Sequence, residues 1–158
     1  MANDWRSAYF QQAKSDYSIL LKLKEINDVP LCQKLHYLQM TTEKMSKSFL
    51  TPVGGDQHKQ THDALVRFLQ SAKTRSDLRR ECNFATAPTF VFVAYIQALS
   101  PTAQAIENLS PEGASHPNPE YPWKTGGKII TPFEHDFSDL KLSNPSCYPA
   151  VASERSIR

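Results

Sequence analysis

The sequence predicts an all-α fold: an up-down four- or five-helix bundle with a Pro/aromatic-rich, mostly irregular C-terminal arm. Three observations carry this. Apolar residues recur at three- and four-residue steps through much of residues 4–109. Nine of the 11 prolines lie from Pro88 onward, so regular helix cannot persist through the last third. The composition, 40% hydrophobic and 22% charged over 158 residues, is that of one globular chain. We divide it into a bundle, 1–110, and an arm, 111–158, packed on the bundle with a frayed end.

Residues 4–27 read as the first helix. Asn3 or Asp4 can cap it, and Trp5, Tyr9, Ala13, Tyr17, Leu20 and Leu21 fall on one face. Asn27-Asp28-Val29-Pro30 is a turn, and Pro30 suits the first turn of the next helix, where its missing N–H is no loss. That second helix runs to about Leu50. Leu31, Leu35, Leu38, Thr42, Met45 and Phe49 follow a 4-3-4-3-4 spacing, a seam for packing against a neighbour. The short connection sets helices one and two antiparallel.

Thr51 to Asp56 breaks the pattern. Asp56 caps a third helix through about Lys73, with His62, Leu65, Val66 and Leu69 as its apolar face. A short segment from Ser76 to Cys82 follows, with Ser76 as its cap. Phe90 to Ile96 is the most hydrophobic stretch and by periodicity alone fits a strand. Apolar positions continue to Ala103, Ile106 and Leu109, which favours a helix from Pro88 to Leu109, kinked or broken at Pro101. A helix apolar on all sides is expected at the centre of a bundle. Beyond Ser110, proline excludes helix, yet Tyr121, Trp123, Ile129, Phe133, Phe137 and Leu140 are too apolar for a solvated linker. Gly126-Gly127 precedes a short strand over 128–132, residues 111–142 form the ordered arm, and the last ten or so residues fray.

The net charge of +2 argues against a dedicated nucleic-acid coat. It is unevenly spread, with 13 basic and 9 acidic residues up to residue 83 and 5 basic and 7 acidic after it. No run approaches about 18 consecutive apolar residues, so no membrane span is expected. The opening residues lack an apolar h-region, and a cytoplasmic location is expected. Cys32, Cys82 and Cys147 form no C-x-x-C and are expected reduced and buried.

Catalytic signatures are sparse. There is no G-x-S-x-G nucleophile elbow, and Gly54-Gly55 and Gly126-Gly127 match no phosphate-cradling loop. His58 and His62 have the i, i+4 spacing of a helical metal pair, with Asp56 or His36 as a third ligand, but Lys59 stands where a zincin places glutamate. Neither a metal nor a cofactor is expected. Glu43 and Lys47 read as a surface ion pair. Lys73, Arg75, Arg79 and Arg80 form a basic cluster interrupted by Asp77 and Glu81, a solvated face able to touch phosphates.

The pattern Ala13-x-Ser-Asp-Tyr17, the Pro30-x-Cys32 turn, Tyr37-Leu-Gln-Met-x-x-Glu-Lys-x-x-Lys47 and the apolar run from His62 to Leu69 together resemble the HEPN (higher eukaryotes and prokaryotes nucleotide-binding) superfamily over about residues 5–109. The resemblance implies an up-down bundle, often dimeric, in a prokaryotic defence or toxin–antitoxin setting, and in many members a metal-independent ribonuclease. That active site is an arginine followed after four to six residues by a histidine. No arginine of this bundle has a histidine at that spacing.

The expectation is therefore a non-catalytic HEPN-like interaction module that binds itself or a protein partner and touches no membrane. Its contacts would come from Lys44, Lys47, Arg79, Arg80, Tyr121 and Trp123. One alternative is a divergent ribonuclease or nucleotide-acting enzyme in which His58, His62 and Arg79 converge. Another is a nucleic-acid-binding helical module, with RNA or nucleotide as ligand.

Overall fold

The computed structural model describes residues 4–53, 63–109, 117 and 119–137. It is an all-α helical bundle with an irregular C-terminal region that contains one small hairpin. The elements in order are α1 (Trp5–Lys24), α2 (Leu31–Leu50), α3 (Ala64–Ala72), α4 (Ser76–Glu81), α5 (Thr89–Glu107), β1 (Trp123–Thr125) and β2 (Lys128–Ile130).

Asp4 starts α1: its side chain accepts the Ser7 amide at 2.8 Å, satisfying one of the orphan donors of the first turn. Lys44 of α2 reaches Asp16, and Lys47 reaches the Tyr9 ring near the start of α1, so α2 runs antiparallel to α1. Tyr9, Ala13, Asp16 and Leu20 are the buried residues of α1. Trp5, Tyr17 and Leu21, expected on that face, are instead exposed, because the contact line with α2 lies to one side of the stripe the apolar residues suggest.

α2 is the central helix. It packs on α1, α3 and α5. Buried faces therefore take up polar residues as well as the expected seam: Leu35 is buried, Leu31 is exposed, and Gln39, Thr41, Ser46, Lys47 and Ser48 are inside. Three hydroxyls there are satisfied by their own helix, while the buried Thr41 hydroxyl has no partner among the described residues. Ser46 donates to the Thr42 carbonyl at 2.7 Å, Ser48 to Met45 at 2.9 Å and Thr51 to Lys47 at 2.7 Å, which removes the cost of burying them unpaired.

This displaces α5 from the centre expected for it. α5 is long and apolar enough to cross a membrane by length and composition alone, yet only 22% of that stretch is buried. It packs on α3 and one part of α2 through Phe92, Ile96, Ala103 and Ile106, while Phe90 is 71% exposed. Uniform apolarity cannot reveal which side lacks a neighbour. Pro101 neither breaks α5 nor starts a new helix; it lies within one continuous helix, at an exposed position.

The described part of α3 begins at Ala64, and Asp63 in the N-cap position makes no side-chain cap bond. The cap expected at Asp56 lies outside the described residues. Arg75, not Ser76, occupies the N-cap of α4. Asn83, at φ 64°, ends α4: the Asn83 amide bonds the Arg80 carbonyl at 3.0 Å and the Phe84 amide the Arg79 carbonyl at 2.9 Å, a Schellman closure with asparagine in the left-handed position.

Two cores result. One joins Leu69 and Ala72 of α3 to Phe92, Ile96 and Ala103 of α5. The other joins Cys32 and Leu35 to Ile106, Leu109, Trp123 and Phe137, so the arm supplies two of its buried side chains. The strand expected over 128–132 is half of an antiparallel hairpin in which Trp123 pairs with Ile130 and Lys124 with Ile129. Gly126 and Gly127, at φ 54° and 80°, form the two-residue turn, where both positive angles suit glycine.

Candidate interaction surface

The candidate residues fall into three places. Lys44 and Lys47, expected exposed, lie in the α1–α2 interface. Lys44 Nζ is 2.6 Å from the buried Asp16 carboxylate, whose other oxygen accepts from Gln12 at 2.9 Å. Lys47 pairs with Glu43, and its ammonium sits 5.9 Å from the centre of the Tyr9 ring. The Glu43–Lys47 pair is thus an interior one, with only 9% and 17% of the Lys47 and Glu43 side chains exposed. Lys44 is thus spent on joining α1 to α2, whereas Lys47 is paired within α2 and meets α1 only at the Tyr9 ring, because a charge taken from water must keep a partner.

Arg79 is a structural clamp. Its guanidinium donates to the carbonyls of Phe84 (3.0 Å), Ala85 (3.5 Å) and Ala87 and to the Thr89 hydroxyl (3.1 Å), tying the α4–α5 loop together. The forked donor set suits several carbonyls converging on one turn. Arg79 is therefore not the free phosphate contact expected of it, nor a free partner for histidine. Arg80 is exposed, its Nε 3.7 Å from Glu81. Arg75 donates to Asp77 and lies over the Phe49 ring, and this pairing holds the Asp77 carboxyl down at about 2. So the three arginines of the basic cluster separate into a clamp (Arg79), a close pair with Asp77 (Arg75) and an exposed side chain beside Glu81 (Arg80).

His58, His62, Asp56 and Lys59 lie outside the described residues. His36, the third ligand considered, has its Nδ1 buried without a hydrogen-bond partner and packs edge-on against Tyr37. Among the described residues no three His, Cys, Asp or Glu side chains come together to hold a metal ion. Cys32 is buried as expected, whereas Cys82 is exposed, and Cys147 lies outside the described residues. Partial burial and the nearby Glu81 push the Cys82 thiol up, away from a reactive thiolate.

The arm holds the third place. Trp123, expected as a contact residue, is buried; its ring meets His135 edge-on at 5.0 Å, and His135 meets Phe137 in the same way at 4.6 Å. This aromatic stack anchors the hairpin on Cys32, Leu35, Ile106 and Leu109. Because side chains alternate across a strand, burying Trp123 and packing Ile130 turns Lys124 and Ile129 outward. Ile129 is 74% exposed and Phe133, just beyond β2, 76%. Tyr121 is exposed as expected, with the Glu120 carboxylate raising its phenol pKa. Lys124 and Lys128 are exposed and make no ion pair among the described residues. The arm thus exposes three large apolar or aromatic side chains, Tyr121, Ile129 and Phe133, with Lys124 beside Ile129 on the outer face of the hairpin.

Sequence reasoning missed Asp16, Glu107 and His135. The signal for Asp16 was present: it sits at the same helical phase as Tyr9, Ala13 and Leu20. For Glu107 and His135 no local pattern exists, since their partners come from distant segments.

No protein-family model matches the chain, and no curated protein sequence and no solved structure is measurably similar to it.

Proposed function

We propose that the chain is a non-catalytic helical interaction module of HEPN-like type, acting in the cytoplasm of a prokaryote within a defence or toxin–antitoxin system, and that it binds a protein partner through the outer face of its arm. One observation carries this reading: Ile129 is 74% exposed on a hairpin whose opposite side is locked into the core by Trp123, and Phe133, just beyond that hairpin, is 76% exposed. Large apolar side chains exposed on a rigid element mark contact sites, because covering them releases free energy with little ordering cost. Lys124, on the same face of the hairpin as Ile129, favours an acidic group on the partner.

The test is purification of the tagged chain from its native host, beside Ile129→Asp and Phe133→Asp variants. A protein present at one copy per chain, released by either variant while circular dichroism is unchanged, is the expected result. Turnover of RNA or a nucleotide by the purified chain, abolished by a point substitution, overturns it.

A further inference from the structure

We propose that the outer flank of α1 is a second docking surface, and that its occupant is an acidic amphipathic helix of a different protein. This extends the reading of the chain as an interaction module to another element, and it stands or falls independently of the arm's partner.

α1 contributes to neither large apolar core and packs along α2. Its inner line is Tyr9, Ala13, Asp16 and Leu20. Beside that line, Phe10, Tyr17 and Leu21 follow at i, i+7 and i+11, within about 40° of one another round the helix and over about 16 Å of its length. They are 40%, 45% and 44% exposed. Arg6 borders this apolar line on the side of the inner residues, and the exposed Lys14 borders it on the outer side. The Lys14 ammonium lies 5.9 Å from the centre of the Phe10 ring, so this cation is held at the edge of the line.

Charge names the occupant. Asp16 is the single acid within α1, and it is buried against Lys44. The other charged residues of the helix are Arg6, Lys14, Lys22 and Lys24. Asp4 is spent on capping the first turn, and Glu25 stands past the last. Every charge that α1 carries outside its buried pair is therefore positive, and the partner must bring the carboxylates. A second copy offering the same face brings none. A lipid surface gains little, because more than half of Phe10, Tyr17 and Leu21 is already covered and little is left to insert. Half-covered side chains at this spacing are what a neighbouring helix packs between. Apolar residues at three- and four-residue steps on the partner would seat along Phe10, Tyr17 and Leu21, and carboxylates on its two flanks would meet Arg6 and Lys14.

The test is selection on the immobilised full chain from a displayed library of amphipathic helical peptides as long as α1. One face carries leucine and alanine, and each flanking position is glutamate, lysine, glutamine or serine. Enriched clones are expected to carry glutamate on both flanks. Such a clone, made as a free peptide, should bind the full chain in solution. Lys14→Glu and Tyr17→Glu should each weaken it about tenfold or more. Selection on the Lys14→Glu chain should in turn enrich lysine on the facing flank, a result that loss of folding cannot produce. Binding should be unchanged by Ile129→Asp and Phe133→Asp. Three results overturn the proposal: no enrichment over the bare support, enrichment without preference for glutamate, or a clone whose binding survives both substitutions in α1. Loss of the clone in Ile129→Asp places its site on the arm and also overturns it, while leaving the arm reading intact. Retention of the chain on anionic lipid vesicles or on single-stranded RNA more tightly than on the selected peptide, abolished by Tyr17→Glu, gives the face to that occupant instead.

Discussion

The Glu107 carboxylate, at the end of α5, accepts the Val66 amide N–H at 3.0 Å in the first turn of α3. The cap that Asp63 fails to make is supplied from the far end of another helix. This bond adds to the apolar core that joins α3 and α5 and places a carboxylate at the positive end of α3.

Glu107 gives a pH prediction. Burial pushes its carboxyl above the ordinary value of 4.5, against the downward pull of the Val66 amide, and Asp63 and Glu43 add to the rise. A carboxyl raised in the folded state contributes stability that is full below the unfolded pKa and lost as pH rises through the folded one. Glu107→Gln keeps an acceptor for Val66 and cannot ionise. Its stability relative to wild type is expected to improve as pH rises from about 4 to about 7. Urea midpoints at the two ends check it, and a difference independent of pH refutes it.

Asp16 and Lys44 give a stability prediction. Removing the carboxylate strands a lysine and deletes the Gln12 bond, so Asp16→Ala should cost about 2 kcal/mol. Lys44 is a quarter exposed, and Lys44→Ala should cost less. A double-mutant cycle should return a coupling of about 1 kcal/mol; additive losses would show that the pair holds nothing together.

Arg79 separates a clamp from a ligand contact. Arg79→Ala should lower stability by about 2 kcal/mol and speed amide hydrogen exchange over Phe84 to Thr89, because several carbonyls lose their donor at once. Arg80→Ala should change stability by less than about 0.5 kcal/mol. Equal effects of the two substitutions would contradict the geometry.

Trp123 and Tyr121 make the matching contrast in the arm. Trp123→Ala empties the centre of the aromatic stack and should cost about 3–5 kcal/mol. Tyr121→Ala, at an exposed ring, should cost under about 0.5 kcal/mol. Thermal unfolding of the two variants decides it. A mild Trp123→Ala would mean that the hairpin is not held by the core.

Much of this fold was legible in the linear chain, and the reasons are local. Asp4 as a cap, the turn ending at Pro30 and the extents of α2 and α5 follow from backbone chemistry within a few residues, whereas Gly126-Gly127 was legible only as a loop before a strand, since its turn needs β1 as a partner. The seam of α2 was read in part: Leu35 is buried as expected, but the polar residues beside it are buried as well, because three helices surround α2 and a single-face pattern presumes one neighbour.

The candidate site was read less well, and the failures share a cause. Lys44, Lys47, Arg79 and Trp123 are residue types that bind ligands when exposed and hold structure when partnered. The partners are Asp16, Glu43, the 84–89 loop and the core formed by Cys32, Leu35, Ile106 and Leu109.

By itself, then, the sequence determined that the chain is helical, where most helices begin and end, and that an aromatic arm follows them, since hydrophobic period, caps and proline act over a turn or two of backbone. Only the tertiary structure decided that α2 rather than α5 is central, which cations are spent on internal pairs, and which aromatic faces reach water. Those outcomes depend on which elements happen to be neighbours, and burial is a property of the neighbour as much as of the residue.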